Sequence, residues 1–396
     1  MKIDFVVPRY GDEIVGGAEF AVRRLAEHLA MRSNFDVGVL STCAVDARTW
    51  ADALPAGTGE ERGVRVSRFS AIGRSPDFDK QSGPLLAAPE RMTDEEQAHW
   101  LRLQGPVSDG LGDAVRTSDA DAVVLSPYLF HPTVTGVRDV GDRAVLHGAA
   151  HDEAVLRIPM YRSVFGGAGA LVFYTHAEQR LVQSRFPIAA TPQIVLGLGV
   201  DDPPSAAPDD DPVGLGGRPY LLCLGRVEGA KGTGELARAF AAYKQRRRGE
   251  LQLVFVGPIA DRPPAHADIH VLGAVDEATK WAALRGALAL VSPSRHESFG
   301  LVLFEAWLSG TPVVVHRACA ATREHCERSG GGLWYGDVAE LVATLDRLAA
   351  SPGLRAELAA AGARYTRTHC AWPLVVDRYA AFLESVVARS RPSELG

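Results

Sequence analysis

Two carboxylates separated by seven residues, Glu297 and Glu305, could carry chemistry in this sequence. Glu297 follows an apolar run in a polar loop, and Glu305 lies in an apolar stretch that predicts a helix over 300–309. Free backbone N–H groups at the start of a helix favour an anion, so this loop could hold a diphosphate. A carboxylate beside an anion needs partners of its own, and sugar or ribose hydroxyls are suitable donors to both glutamates.

Each glutamate also has a simpler interpretation. Glu297 could be an ordinary carboxylate at a helix N-terminus, and Glu305 could be a solvated helix position. The residues on either side of Glu305 are apolar, however, over 301–304 and 306–308. We therefore expect a buried helix, in which a carboxylate without a partner would be costly.

The pattern around the two glutamates resembles the E-x7-E signature of retaining GT-B glycosyltransferases, in particular family 4, the glycosyl transferases group 1. Besides the spacing, the resemblance includes Phe299-Gly300 and the Gly310-x-Pro-Val-Val run after the helix. It implies that Glu297 holds hydroxyls of a donor sugar and that Glu305 accepts from ribose hydroxyls. It further implies phosphate or sugar contacts from the loop residues Ser298, Phe299, Gly300 and Leu301, with Ser298 replacing a glycine that is frequent in the family.

A second motif, 224–232, follows the first predicted strand of the C-terminal half, where α/β sheets bind phosphate. Ala230 and Gly232 break a Walker pattern on both sides of Lys231, and no G-x-G-x-x-G follows the first strand of either half. The motif instead resembles the glycosyltransferase pattern G-R-x4-K-G, beginning at Gly225. The resemblance assigns Arg226 and Lys231 to the donor diphosphate, whose growing charge both cations could stabilise. Lys231 could alternatively be a solvated helix charge.

The N-terminal half contributes two weaker candidates. Gly16-Gly17, between a strand and a helix, is either a tight turn or, by the resemblance, a loop that closes over the diphosphate and the transferred sugar. His151-Asp152 matches a family position near the donor sugar, with Asp152 capping or orienting the histidine. His147 is the runner-up, and a buried structural histidine is the simpler alternative for either one.

Strands and helices alternate along the whole chain and predict an α/β protein with parallel sheets. By resemblance, we expect a GT-B fold with two Rossmann-like domains facing a central cleft. The predicted parts are an acceptor-side domain over 1–200, a Pro- and Asp-rich linker over 201–219, a nucleotide-sugar domain over 220–371 and a helix over 372–396 that crosses back. The donor base is expected near 271–275, including Leu272, and the polar insertion 71–110 is the acceptor-binding candidate.

The composition limits the partners that we expect. The chain has 396 residues, 46% of them hydrophobic, and a net charge of −6, so nothing favours nucleic acid or an anionic membrane. The absence of a long apolar run or signal peptide indicates a cytoplasmic protein without a transmembrane segment. Five scattered cysteines are expected to be reduced core thiols. We expect no cofactor and no essential metal, because no acidic metal-binding pattern stands out.

The sequence therefore predicts a retaining hexosyltransferase that uses a nucleoside diphosphate sugar and a hydroxyl acceptor. The base, which could be that of UDP, GDP or ADP, the sugar, the acceptor and the oligomeric state stay open. A GT-B sugar-nucleotide epimerase and a non-catalytic sugar-nucleotide-binding protein are the alternatives.

Overall fold

Two units, each built on its own sheet, make up the chain. The computed structural model describes residues 1–14, 16–205, 211–247 and 249–390. The first unit comprises Met1–Gly197 and the C-terminal segment from Pro373, and the second comprises Leu198–Trp372. Part of the predicted linker, 206–210, lies outside the described residues, and its other residues belong to the second unit.

The first unit contains an eight-stranded sheet whose strands are parallel except for β3, which pairs antiparallel with β4. The strand order is β3-β4-β2-β1-β5-β6-β7-β8. The strands are β1 (Lys2–Val6), β2 (Asp36–Thr42), β3 (Gly57–Glu61), β4 (Val64–Phe69), β5 (Ala122–Leu125), β6 (Ala144–His147), β7 (Ala170–Phe173) and β8 (Gln193–Val195). The helices are α1 (Gly17–Ala30), α2 (Phe78–Leu86), α3 (Asp94–Gln104), α4 (Asp109–Thr117), α5 (His131–Val140), α6 (Tyr161–Gly167) and α7 (His176–Arg185).

The second unit contains a six-stranded, wholly parallel sheet of order β11-β10-β9-β12-β13-β14. Its strands are β9 (Tyr220–Leu224), β10 (Gln252–Val256), β11 (Ile269–Gly273), β12 (Ala289–Ser292), β13 (Val313–His316) and β14 (Gly332–Tyr335). Its helices are α8 (Thr233–Arg246), α9 (Glu277–Gly286), α10 (Leu301–Leu308), α11 (Ala320–Ser329), α12 (Val338–Ala350) and α13 (Pro352–His369).

The last helix, α14 (Trp372–Ser390), packs within the first unit. Tyr379 of this helix places its hydroxyl 2.8 Å from Nε2 of His147 at the end of β6. Arg378 donates to the backbone carbonyls of Val195, the last residue of β8, and of Leu196. The end of the chain therefore completes the core of its first unit. Among the described residues, no helix combines the length and the apolar character needed to span a membrane.

The alternating pattern predicted the parallel strands well, and five elements escaped it. Strand β3 is exposed and polar, so it has no apolar face for a period-two pattern to reveal. Helix α11 has a mostly polar sequence, and β14 has only four residues after a run of glycines. The insertion 71–110 contains two complete helices, α2 and α3.

Candidate functional site

The two strongest sequence motifs follow neighbouring strands of the second unit. Strand β9 pairs with β10 on one side and with β12 on the other, so the order of the chain reverses between β9 and β12. The carboxyl ends of strands at such a reversal form the usual ligand site of an open α/β sheet. The 225–232 turn follows β9 and the 293–300 loop follows β12, which brings both motifs to this edge.

Gly232 lets the two loops touch. Its φ of +75° is in the left-handed region, and a Cβ atom there would lie 2.8 Å from the backbone oxygen of Pro293. A larger residue at this position would push the loop after β12 away from the turn after β9. Gly225 also has a positive φ, +128°, and its N–H donates to the Val256 carbonyl at the end of β10.

The charged residues of the two motifs form an ion pair. The Nζ atom of Lys231 lies 2.7 Å from Oε1 of Glu297, and the two side chains are 33% and 25% exposed. Both groups are therefore open to a ligand while they compensate each other. Arg226 is 41% exposed, and its nearest recorded carboxylate oxygen, on Glu228, is 3.6 Å away. The structure thus brings Lys231 and Glu297 together and leaves much of Arg226 accessible.

Glu305 is buried in α10, and its partner is Lys280 of α9. The Lys280 ammonium lies 2.7 Å from Oε1 of Glu305 and 2.8 Å from Oε2 of Glu277. Burial raises the pKa of Glu305, and the positive charge of Lys280 opposes that rise. The interpretation of Glu305 as a solvated helix position is therefore wrong. Sequence reasoning missed Lys280, since a lysine in the second turn of a helix is ordinarily solvated.

The loop between Glu297 and α10 ends in a left-handed glycine. Gly300 has a φ of +85° and precedes α10, which begins at Leu301 and ends at Leu308, slightly shorter than predicted. The Phe299 ring is buried and stacks on Phe304, with ring centroids 4.5 Å apart. The ligand contacts assigned to Ser298 and to the Phe299, Gly300 and Leu301 amides stay predictions.

The neighbouring strand ends pack closely through their backbones. Gly257 follows β10 with a φ of +140°, and a Cβ atom there would lie 2.0 Å from the Gly225 oxygen. The Gly257 N–H donates to the Gly273 carbonyl at the end of β11. Leu272, in the segment where we expect the base, is 39% exposed and available for contact.

In the first unit, the Gly16-Gly17 pair lies beside a buried ion pair. A Cβ atom on Gly16 would lie 2.3 Å from Oε2 of Glu19, which is bonded to the Arg9 guanidinium. Gly16 therefore permits a close approach, although its φ of 179° is ordinary extended backbone. Gly17 begins α1, and a Cβ atom there would meet nothing within 4 Å. The preceding residue, 15, lies outside the described residues.

The second N-terminal candidate has partners that differ from those we expected. Nδ1 of His151 lies 3.4 Å from Oε1 of Glu153, whereas Asp152 forms an ion pair with Arg185 at 2.7 Å. The expectation that Asp152 orients His151 is therefore wrong. His147 is fully buried against Tyr379, and burial lowers its pKa to about 3, so this runner-up is a neutral core histidine.

Glu178 supports the loop that carries His151. Its carboxylate accepts hydrogen bonds from the N–H groups of Ala150 and Tyr174, each 2.8 Å long. Burial raises the pKa of Glu178 to about 8. Thr175, three residues earlier, accepts from the Glu178 N–H in the pattern of a helix capping box. The Thr-x-x-Glu spacing could have revealed this residue in the sequence.

Metal-ligand clusters and disulfides can be checked among the described residues. No group of three or more His, Cys, Asp or Glu residues there is placed to hold a metal ion. The five cysteines, which all fall in the described ranges, are buried and form no disulfide. The expectation of core thiols is thereby confirmed.

Comparison with known proteins finds relatives that match part of the chain. Residues 218–351 match the family model described as Glycosyl transferases group 1. A D-inositol 3-phosphate glycosyltransferase from Salinispora arenicola is 33% identical over 184 residues, which are 42% of this chain and 41% of that protein. The chain thus matches less than half the length of this curated relative.

Solved structures match nearly the whole chain. Sucrose-phosphate synthase from Thermosynechococcus elongatus has a TM-score of 0.70 at 16% identity, covering 98% of this chain and 100% of that one. An Anabaena protein in complex with UDP and glucose has a TM-score of 0.67 at 18% identity, covering 97% and 100%. These likenesses confirm the predicted GT-B fold class. The family match is confined to 218–351, within the second unit.

Proposed function

We propose that the chain is a retaining glycosyltransferase that moves a hexosyl group from a nucleoside diphosphate sugar to an acceptor hydroxyl. The observation that carries the proposal is the Lys231–Glu297 ion pair at the point where the strand order reverses. The Lys231 ammonium can bind the diphosphate of a sugar nucleotide, and the Glu297 carboxylate can accept hydrogen bonds from its sugar hydroxyls. The two groups lie side by side and are partly exposed. The family match of 218–351 supports the same function.

Each charged residue has a role in this proposal. Lys231 and Arg226 bind the diphosphate and stabilise the charge that grows on it as the sugar leaves. Glu297 accepts hydrogen bonds from sugar hydroxyls, and Glu305 accepts from the ribose. The Lys280 ammonium favours the ionised form of Glu305, which is the form that only accepts, against the burial that raises its pKa.

The sugar keeps its anomeric configuration in the proposed reaction. The acceptor oxygen attacks the anomeric carbon on the face from which the diphosphate departs, and a leaving-group oxygen takes the acceptor proton. By the family resemblance, Gly16, Gly17 and His151 are the proposed sugar-binding residues of the first unit, and the 71–110 insertion is the proposed acceptor-binding segment. The reaction needs no metal, since Arg226, Lys231 and the amides at the start of α10 supply the positive charge.

UDP-hexoses are the first donors to test, because the Anabaena structure holds UDP and glucose. GDP and ADP sugars remain candidates, since the side chains near Leu272 do not select a base. We also propose a cytoplasmic location, which is supported by five cysteines that are buried and form no disulfide.

Thermal shifts with UDP, GDP, ADP and their hexose conjugates, with magnesium or with EDTA, test the proposal. A ligand at 100 times its Kd adds about 2.7 kcal/mol to the free energy of unfolding. One nucleotide should stabilise the wild type without metal, and Lys231→Ala should reduce the shift. Arg246→Ala is the matched control, because Arg246 is exposed at the opposite end of α8, about 20 Å from its start.

The alternatives make different predictions. An epimerase would release nucleoside diphosphate and an altered sugar without any acceptor, and a non-catalytic binding protein would show the shift without turnover. If no nucleotide stabilises the wild type, the proposal loses its central support.

A further inference from the structure

We infer that one face of α11, formed by Cys319, Thr322 and His325, positions the loop from Glu297 to Gly300 for donor binding. This inference rests on the proposed function, in which that loop holds the sugar and the phosphate. Neither the sequence motifs nor the family match assigns a role to these three residues. They are positioning residues, because they act through the loop and need not touch the donor.

The three residues share a face because they are spaced three apart along the helix and its cap. Cys319 is the N-cap of α11, and Thr322 and His325 follow one and two turns later. All three are buried, with exposed fractions of 1%, 0% and 4%. Buried polar groups are generally hydrogen-bonded, so the partners of these side chains are expected in the chain that packs on this face.

The first two residues contact the two ends of the loop. Burial raises the pKa of the Cys319 thiol, and the neighbouring Thr322 and the Glu297 main chain oppose that rise. A Cβ atom on Gly300 would lie 2.8 Å from the Cγ2 methyl group of Thr322, which is too close. Gly300 has a φ of +85° here, so both its backbone conformation and its neighbour require glycine.

His325 holds the middle of the loop. Its ring packs edge-on against the ring of Phe299, with centroids 5.0 Å apart, and against that of Phe304 at 4.7 Å. Burial lowers the pKa of His325 to about 3, which keeps the ring neutral. The Tyr365 hydroxyl lies 3.5 Å from Nδ1 on the other side. A phenyl ring could therefore fill this space and keep the packing against Phe299.

Glu297, Phe299 and Gly300 of the loop thus each have a neighbour on the buried face of α11. The Glu297 carboxylate and Lys231 remain partly exposed to a ligand. Displacing reacting groups by about 1 Å can lower a rate by about a hundredfold, so such support matters for sugar placement. We expect disturbance of α11 to weaken binding of both the phosphate and the sugar, because the loop contacts both in the proposed function.

Amide hydrogen exchange of the full-length protein without ligand is the primary test. His325→Ala, which removes the ring that packs against Phe299, should raise exchange at Ser298–Leu301 by about tenfold or more, whereas His325→Phe, which keeps a ring there, should retain most of the protection. Glu327→Gln, on the exposed side of the same helix, is the matched control. Unchanged loop exchange in His325→Ala would overturn the inference.

Ligand affinity distinguishes a positioning role from a purely structural one, which would change stability and leave the Kd values unchanged. The Kd values of UDP and UDP-glucose should both rise by about tenfold in His325→Ala, because the loop contacts the phosphate as well as the sugar, and should stay near the wild-type values in His325→Phe. A His325→Ala protein that loses stability but keeps both Kd values would count against positioning. If His325→Ala does not fold, Thr322→Ser replaces it, since it removes only the methyl group that faces Gly300. Failure of the wild type to bind any nucleotide would overturn the proposed function alone, because the exchange comparison needs no ligand.

Discussion

Nζ of Lys231 and Oε1 of Glu297 lie 2.7 Å apart, although 66 positions separate the two residues in the chain. The contact joins the turn after β9 to the loop after β12, and each charge compensates the other while no donor is bound. Arg295 of the same loop and Glu235 in the first turn of α8 make a second ion pair, 3.0 Å long and more exposed. The site is thus charge-balanced before an anionic donor arrives.

The first prediction separates the two charges of this pair. Lys231→Met should weaken UDP binding, because it removes a cation and leaves the Glu297 carboxylate facing the diphosphate. Glu297→Gln should leave UDP binding unchanged or tighter and should abolish hexosyl transfer. Isothermal titration calorimetry with UDP measures the first effect, and a donor-consumption assay measures the second. Weaker UDP binding in Glu297→Gln would contradict these assignments.

The same pair should contribute little to stability. Coupling between the pair should change the unfolding free energy by at most about 1 kcal/mol, since both side chains are partly exposed.

The second prediction concerns the buried pair of Lys280 and Glu305. Lys280→Met should destabilise the second unit by about 3–5 kcal/mol, because it leaves a buried carboxylate without its counter-charge. The double variant Lys280→Met/Glu305→Met should recover much of that loss, since it removes both charges. Urea unfolding measures both values, and Glu277→Gln, at the exposed end of the network, is the control. A Lys280→Met protein as stable as the wild type would show that the pair contributes nothing.

The third prediction is a pH dependence of stability that arises from Glu178. Its pKa is about 8 in the folded protein, against 4.5 as the ordinary value. The folded state therefore binds the proton more tightly, so this contribution is complete below about pH 4.5 and is lost as the pH rises through 8. At its steepest, one such group changes the unfolding free energy by about 1.4 kcal/mol per pH unit.

Thermal unfolding between pH 6 and 9 checks the Glu178 prediction. The Tm of the wild type should fall more steeply with pH than that of Glu178→Gln, which cannot ionise. Glu95→Gln, an exposed residue of α3, should keep the wild-type slope. Equal slopes in wild type and Glu178→Gln would mean that the carboxyl does not titrate in this range.

The fourth prediction uses two glycines with positive φ but different surroundings. Gly257→Ala would place a Cβ atom 2.0 Å from the Gly225 oxygen, whereas nothing lies within 4 Å of that position at Gly310. Gly310→Ala should therefore cost only the backbone strain, about 1–2 kcal/mol. Gly257→Ala should cost more and should also weaken nucleotide binding through Gly225. Denaturant unfolding and calorimetry with UDP compare the two variants, and equal losses would contradict the packing explanation.

The sequence predicted those parts of the site whose residues have a local signature. Gly225, Lys231 and Glu297 lie in motifs whose spacing can be read from the chain, and the apolar neighbours of Glu305 indicated its burial. Lys280 could not be predicted, because its partner lies 25 residues away and only the fold brings them together.

Tertiary packing also explains the other differences. Helix α11 has little apolar periodicity, so its buried face is visible only where it contacts the loop at Phe299. The partner of Asp152 is Arg185, which belongs to the next helix but one, and adjacency in sequence to His151 gave the wrong pairing. Local pattern thus identified strands and ligand loops, while side-chain partners required the folded chain.

The return of α14 to the first unit has a consequence for biosynthesis. His147 pairs with Tyr379, and the carbonyls of Val195 and Leu196 accept from Arg378. The second unit, Leu198–Trp372, is synthesised before these two residues. The N-terminal unit can therefore complete this part of its core only after the whole second unit has been made.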